Sequence, residues 1–189
     1  MSKFQKGFLF DQNFCIGCKA CEIACQVYHQ QDEFINWRVV DTFIVNEDGM
    51  EKELFLSHSC HHCEEPECMR VCPSEAISKR KDGIVEINRD KCIGCGYCEQ
   101  SCSYGAITLM GKDKKAQKCN LCAERLDEGE LPACVAGCPC DTLKLVDIFV
   151  ADSARMQKDC VGFKDLGFKP SIRFYPKFRA QYYDKKVKL

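Results

Sequence analysis

The sequence predicts an α+β chain of short hairpins and short helices, with an extended C-terminal tail. Three observations carry that prediction. Eighteen cysteines stand among 189 residues, and sixteen of them fall into four tight groups. The apolar runs between the groups are short, β-rich and interrupted by turn residues. No apolar run approaches the ~18 residues that a membrane-spanning helix needs.

The elements follow in order. Gly7–Phe10 reads as a strand leading into the first cysteine loop. Ala20–Tyr28 has helical composition and carries Cys21 and Cys25 four apart. Arg38–Val45 and Glu53–Ser57 flank Asn46-Glu47-Asp48-Gly49, which is hairpin chemistry. Ala76–Lys79 and Ile84–Ile87 flank Lys81-Asp82-Gly83 and form a second hairpin. Asn120–Asp127 is a short helix with Gly129 near its end, and Leu143–Val146 is a strand. Asp147 is placed to cap a helix over Ile148–Lys158, where Ile148, Val150, Ala151 and Ala154 are helically spaced. From Gly162 the chain turns aromatic and basic, with Pro170 and Pro176, and an extended tail is expected.

Composition excludes several classes. A formal net charge of −1 gives no global field toward nucleic acid. So many cysteines normally indicate a secreted disulfide scaffold. The chain is long for such a scaffold, and its start, MSKFQKGFLFDQNF, has no apolar signal segment. The tight pairs also suit metal ligation better than long-range staples. A soluble or peripheral chain is expected, cytoplasmic by its own sequence, with no membrane insertion of its own. No G-x-S-x-G, P-loop or G-x-G-x-x-G is present, so no catalytic constellation is expected and chemistry on a substrate belongs to another chain.

The four groups are Cys15, Cys18, Cys21, Cys25; then Cys60, Cys63, Cys68, Cys72; then Cys92, Cys95, Cys98, Cys102; then Cys119, Cys122, Cys134, Cys138. CIGCKACEIAC and CIGCGYCEQSC share the spacing C-x2-C-x2-C-x3-C. Two intervening residues let three thiolates turn inward on one iron–sulfur cluster. The fourth cysteine of such a run ligates the other cluster of a two-cluster ferredoxin. Groups two and three then pair: Cys60, Cys63 and Cys68 take Cys102, while Cys92, Cys95 and Cys98 take Cys72. Groups one and four remain: Cys15, Cys18 and Cys21 take Cys138, while Cys119, Cys122 and Cys134 take Cys25. Sixteen ligands make four [4Fe–4S] clusters. Zinc is the rival, because four-cysteine zinc sites use C-x2-C pairs separated by a longer loop. Group four, with eleven residues between Cys122 and Cys134, suits zinc when read alone; groups one and three do not.

Taken together, several stretches resemble one family. They are Cys25 without a following proline, Cys72-Pro73, SCHHCEEPEC, KCNLCAERLDEGELPACVAGCP and the closing KPSIRFYP. The chain is similar to the four-cluster beta subunits of molybdopterin oxidoreductases of the dimethyl sulfoxide and polysulfide reductase type, from Gly7 to about Pro176. The resemblance implies two pseudo-symmetric ferredoxin-like units. The outer unit would take residues 1–57 and 113–160, with motifs one and four and the inserted hairpin. The inner unit would take 58–112, with motifs two and three, and residues 161–189 would be a docking tail. The cluster of Cys15, Cys18, Cys21 and Cys138 would lie nearest a molybdopterin catalytic subunit. The cluster of Cys72, Cys92, Cys95 and Cys98 would face a membrane anchor or a soluble redox protein. Some relatives lose one ligand of that far cluster; here all are present, so four cubanes are expected. Some carry a membrane-anchoring C-terminal helix, which AQYYDKKVKL does not resemble. Relatives are also exported folded by a partner's twin-arginine signal. Alternative functions are a subunit of a formate–hydrogen complex, a free polyferredoxin, or, from another class, a zinc-stapled interaction module.

Other residues have plainer readings. Cys140 and Cys160 are spare thiols, since the ligand count is complete without them. His58, His61 and His62 either donate to cluster sulfurs or simply pack or face solvent. Lys19 and Arg70 either raise a nearby potential or are solvated charges. Arg173, Lys177, Arg179, Lys185, Lys186 and Lys188, mixed with aromatic residues, suit docking on a partner subunit better than nucleic acid.

Overall fold

A computed structural model describes residues 4–47, 49–109, 111, 113–150, 156–177 and 186–187, with only the backbone of 47, 186 and 187. Strand β1 (Lys6–Asp11) is the centre of a three-stranded sheet. It pairs antiparallel with β6 (Leu143–Asp147), Phe8 opposite Leu145, and parallel with β7 (Ile172–Tyr175), Phe10 beside Phe174. A central strand is covered on both faces, and Gly7, Phe8, Leu9 and Phe10 are all buried. Removing Phe8, Phe10 and Phe174 from water contributes about 1.5–3 kcal/mol each.

The first hairpin joins β2 (Arg38–Glu47) to β3 (Met50–Ser59) with Glu47 opposite Met50 and Gly49 at φ 83°. Its register puts Arg38 opposite Ser59 and Val40 opposite Ser57. Facing pairs share a side of the sheet, so these four residues lie on one face. Phe43, Val45, Leu54 and Leu56 lie on the other, in the main core. At its far edge, β2 pairs with β8 (Lys186–Val187). A smaller hairpin, β4 (Ile77–Lys79) with β5 (Val85–Ile87), belongs to a second apolar cluster of Ile77, Val85, Cys98, Ile107 and Ala116.

The helices are short and hang from the cysteine groups. They are α1 (Ala20–His29), α2 (Glu67–Arg70), α3 (Tyr97–Ser101), α4 (Ala123–Asp127) and α5 (Ala133–Ala136). Helix α1 packs closely on the end of α5: a Cβ on Gly137 would stand 2.8 Å from that of Ala24.

Two expectations change. The helix over Ile148–Lys158 does not begin: Ile148–Val150 form a turn in which the Asp147 carboxylate accepts the Phe149 N–H at 3.0 Å. Asp side chains favour this local bond over helix continuation. Further on, Gln157 bridges Phe174 as an antiparallel strand pair; residues 151–155 of that expected helix lie outside the described ones. The stretch from 161 is extended, but it is no free tail as far as Tyr175. Val161, Phe163, Ile172, Arg173 and Phe174 are buried, and β7 is a full strand of the first sheet. The apolar residues there have a sheet edge to cover, which the linear sequence did not reveal. The rest of the expected docking tail, residues 178–185 and 188–189, lies outside the described residues.

Candidate iron–sulfur sites

The first C-x2-C pair of each group shares one backbone feature. The residue just before the second cysteine has left-handed φ: Gly17 at 67°, His62 at 43°, Gly94 at 70° and Leu121 at 58°. Such a residue turns successive N–H groups to one side and makes a concavity for an anion. Glycine accepts it freely; His62 and Leu121 adopt it at a cost, of order 1–3 kcal/mol each.

The cysteines collect in four sets. Cys15, Cys18, Cys21 and Cys138 line one cavity of about 340 Å³, part of it open to solvent. Cys60, Cys63, Cys68 and Cys102 line another of about 450 Å³, and Cys72, Cys92, Cys95 and Cys98 a third of about 290 Å³. Cys25, Cys119, Cys122 and Cys134 form the remaining set, and all four are buried. Burial first, then Cys119, pushes the Cys25 thiol up to about 12; burial and then Cys119 and Cys134 do the same at Cys122, against the Ala133 N–H. Among the described residues no three or more His, Cys, Asp or Glu side chains converge to hold a single metal ion. The first, second and third motifs thus line spaces, each completed by one cysteine from another group.

The last cysteine of three groups opens a common turn: CPSEAI, CSYGAI and CPCDTL, each with left-handed φ three residues on, at Glu75, Gly105 and Asp141. The turn folds N–H groups back on the sulfur, Ala76 to Cys72 at 3.3 Å and Ala106 to Cys102 at 3.4 Å. Burial raises the Cys72 thiol, but the Ser74 hydroxyl and the N–H groups of Ala76, Ser74 and Ile77 outweigh it and leave the thiol low. Cys138 is lowered the same way, burial being outweighed by the Thr142 hydroxyl and nearby N–H groups. Cys25 opens no such turn, because α1 runs on to His29. It takes a hydrogen bond from Gln31 Nε2 at 3.3 Å, and Cys122 lies 3.3 Å from His29 Nε2.

The interior between the sets is positively charged and short of partners. Arg38, 1% exposed, donates to the Ser57 and Ser59 hydroxyls at 3.0 Å each, and its Nε has no partner. Burial opposes its charge, yet Cys134, Cys119, Cys21 and Cys25 hold its pKa above the usual range. Lys118, 4% exposed, donates to the carbonyls of Val85 and Cys119. His62 Nδ1 accepts the Val85 N–H at 3.0 Å, so its Nε2 carries the proton, and that N–H has no protein partner although the ring lines the cavity of Cys60, Cys63, Cys68 and Cys102. Buried cations and orphaned donors are costly unless something anionic answers them. A thiolate-bound iron–sulfur cluster is anionic and accepts hydrogen bonds at its sulfurs, so the donors fit it.

The other candidates resolve differently. Cys140 lines the first cavity beside Cys138. The Cys160 thiol is pushed up, by burial first, and lies 3.5 Å from the Val161 carbonyl. His58 pairs with Asp41 at 3.0 Å, and His61 is buried against the rings of Tyr104 and Phe163. Lys19 is exposed, and Arg70 is an exposed partner of Glu67. Arg38 and Lys118 are the residues that sequence reasoning passed over; a charge bounded by apolar neighbours, as in Trp37-Arg38-Val39-Val40, was the available signal.

Two families, each described as a 4Fe-4S dicluster domain, match this sequence, one over residues 51–148 and the other over 14–76. The B component of the anaerobic dimethyl sulfoxide reductase of Escherichia coli (strain K12) is 38% identical over 159 residues, 80% of this chain and 76% of that one. The thiosulfate reductase electron transfer subunit of Salmonella typhi is 38% identical over 139 residues, 72% of each of the two chains. The iron-sulfur subunit of the nitrate-inducible formate dehydrogenase of Escherichia coli (strain K12) is 34% identical over 148 residues, 69% of this chain and 50% of that one. With its paired dicluster motifs and these relatives, the protein belongs to the family of 4Fe–4S electron-transfer (beta) subunits of molybdopterin oxidoreductases.

Proposed function

We propose that the protein binds four [4Fe–4S] clusters and relays single electrons to or from a molybdopterin-containing catalytic subunit. The observation that carries this is the gathering of sixteen cysteines into four sets of four. Cys15, Cys18, Cys21 and Cys138 would hold one cluster, and Cys25, Cys119, Cys122 and Cys134 the second. Cys60, Cys63, Cys68 and Cys102 would hold the third, and Cys72, Cys92, Cys95 and Cys98 the fourth. When bound, the clusters supply reversible one-electron chemistry at potentials set by their surroundings. The protein's own residues fix those surroundings: Ala76, Ala106 and Leu121 aim N–H groups at sulfur, and burial of the Cys25 set excludes water.

Exposure supports two docking ends for the relay. Cys18 and Cys95 are the exposed cysteines, one in the first set and one in the last. Each stands among exposed apolar side chains, Phe14, Ile16 and Ile23 near Cys18 and Ile93 and Tyr97 near Cys95. Both places suit a docking partner: the catalytic subunit at the first, and a membrane anchor or soluble redox protein at the second. The outer unit of 1–57 with 113–160, the inner unit of 58–112 and a docking role for the residues beyond Lys177 belong to the same proposal. Protein purified without oxygen should be brown, with about sixteen iron and sixteen acid-labile sulfide per chain. A colourless, zinc-loaded protein overturns the proposal.

A further inference from the structure

Arg38 and Lys118 are buried cations for which no described carboxylate forms an ion pair. Their positions are not equivalent. Arg38 donates to Ser57 Oγ, which leaves the Ser57 hydroxyl proton for Cys21 Sγ at 3.3 Å, in the first set. The thiols of Cys119 and Cys25, both in the second set, also feel its charge, which opposes the upward push of burial there. Lys118 donates to the carbonyl of Cys119 in the second set and to that of Val85, which lines the cavity of the third. Its charge opposes the upward push that burial, first, and Cys60 give the Cys68 thiol of the third set. Neither cation hydrogen-bonds a residue that lines the cavity of the fourth set.

One-electron reduction adds one unit of negative charge among the thiolates. A fixed cation nearby in a low dielectric lowers the energy of that added charge and so raises the reduction potential. Resting on the ligand sets proposed above, we propose that Arg38 and Lys118 are fixed charges that bias electron residence toward the second set: Arg38 raises the potentials of the first and second sets, Lys118 those of the second and third, and the fourth set feels neither. They are positioning residues, acting through charge rather than contact with a redox partner. Ser57 extends the reach of Arg38 to Cys21.

The test is a potentiometric titration of the iron-loaded protein followed by electron paramagnetic resonance, with iron counted on each sample. Arg38→Met should lower two couples, each by at least tenfold in its reduction equilibrium, which is about 59 mV for one electron. Arg38→Lys should restore most of that shift. Lys118→Met should lower two couples, one of them shared with Arg38→Met, and the double variant should leave one couple in place. Unshifted couples at full iron content overturn the assignment, as does an Arg38→Lys variant that shifts as far as Arg38→Met. If Arg38→Met does not retain iron, Lys118→Met decides, and an unshifted Lys118→Met overturns the idea. The wild-type count of couples tests the ligand sets separately. Four couples indifferent to both substitutions leave the sets standing and remove the role of the cations. Fewer than four couples remove the sets, while a shift among those present still supports the fixed charges.

Discussion

Cys25 shows how one side chain can tie two distant motifs. It lies one helical turn beyond Cys21 on α1, yet the two thiols have different surroundings: Cys21 lies 3.3 Å from Ser57 Oγ and lines the first cavity, whereas Cys25 is pushed up by burial and then by Cys119. Residues four apart on a helix share a face but stand a turn apart along the axis, which is enough to change cavities. Replacing Cys25 with serine should therefore remove about a quarter of the iron and the signal of the Cys119, Cys122 and Cys134 site. The Cys15, Cys18 and Cys21 site should remain assembled. Loss of the first site with the second intact would refute the three-plus-one arrangement. The cysteines were legible from spacing alone. The left-handed His62 and Leu121 were not, because non-glycine residues seldom adopt that conformation and nothing in their identity announces it. Arg38 was faintly legible from its apolar neighbours, but arginine is almost always exposed or paired, and the fold is what shows it buried without a carboxylate in an ion pair.

Local elements were read well where their signal was local. The first strand, the first helix and both hairpins stand within a few residues of where alternation and turn chemistry put them. Strand β7 was missed because its pairing partner is β1, more than 150 residues earlier, and a parallel pair leaves no turn signature between its strands. The helix expected after Asp147 failed on competing local bonding, as the Asp147–Phe149 contact shows. The contact of α1 with α5 is what brings Cys25 to Cys134, and it depends on Gly137. A Cβ there would stand 2.8 Å from Ala24 Cβ and 3.1 Å from the Ala133 carbonyl. Gly137→Val should cost about 1–3 kcal/mol as overpacking. For a protein of this size that is a loss of about 2–4 °C in Tm per kcal/mol. Iron release on heating should start at the Cys25 site, read as early loss of that site's signal. An unchanged Tm and unchanged order of iron loss would show that the two helices part without consequence.

At the scale of the whole molecule, the fold and its cofactors belong to one equilibrium. The main apolar cluster counts Cys21 and Cys134 among its members, and the second cluster counts Cys98. Thiols proposed to hold the clusters are thus also the packing of the core. Without iron, Arg38 and Lys118 are buried positive charges with no described carboxylate in an ion pair, and each carries a desolvation penalty of several kcal/mol. Cluster binding removes that penalty only when the folded cavities exist, so it contributes directly to folding, as metals do in small metal-dependent domains. Anaerobic removal of iron with a chelator should therefore abolish both the cooperative thermal transition and most of the far-ultraviolet circular dichroism. A cooperative melt of the iron-free protein would show that the apolar clusters suffice alone. The same reasoning fixes the sign of a second effect. In the iron-free protein, Arg38→Met combined with Lys118→Met removes two uncompensated charges and should increase residual structure, whereas in the loaded protein the pair should reduce stability because the anionic sites lose their counter-charge. Circular dichroism of the double variant with and without iron reads both signs, and a change of the same sign in the two states would place the stabilising role of these residues in packing and not in charge.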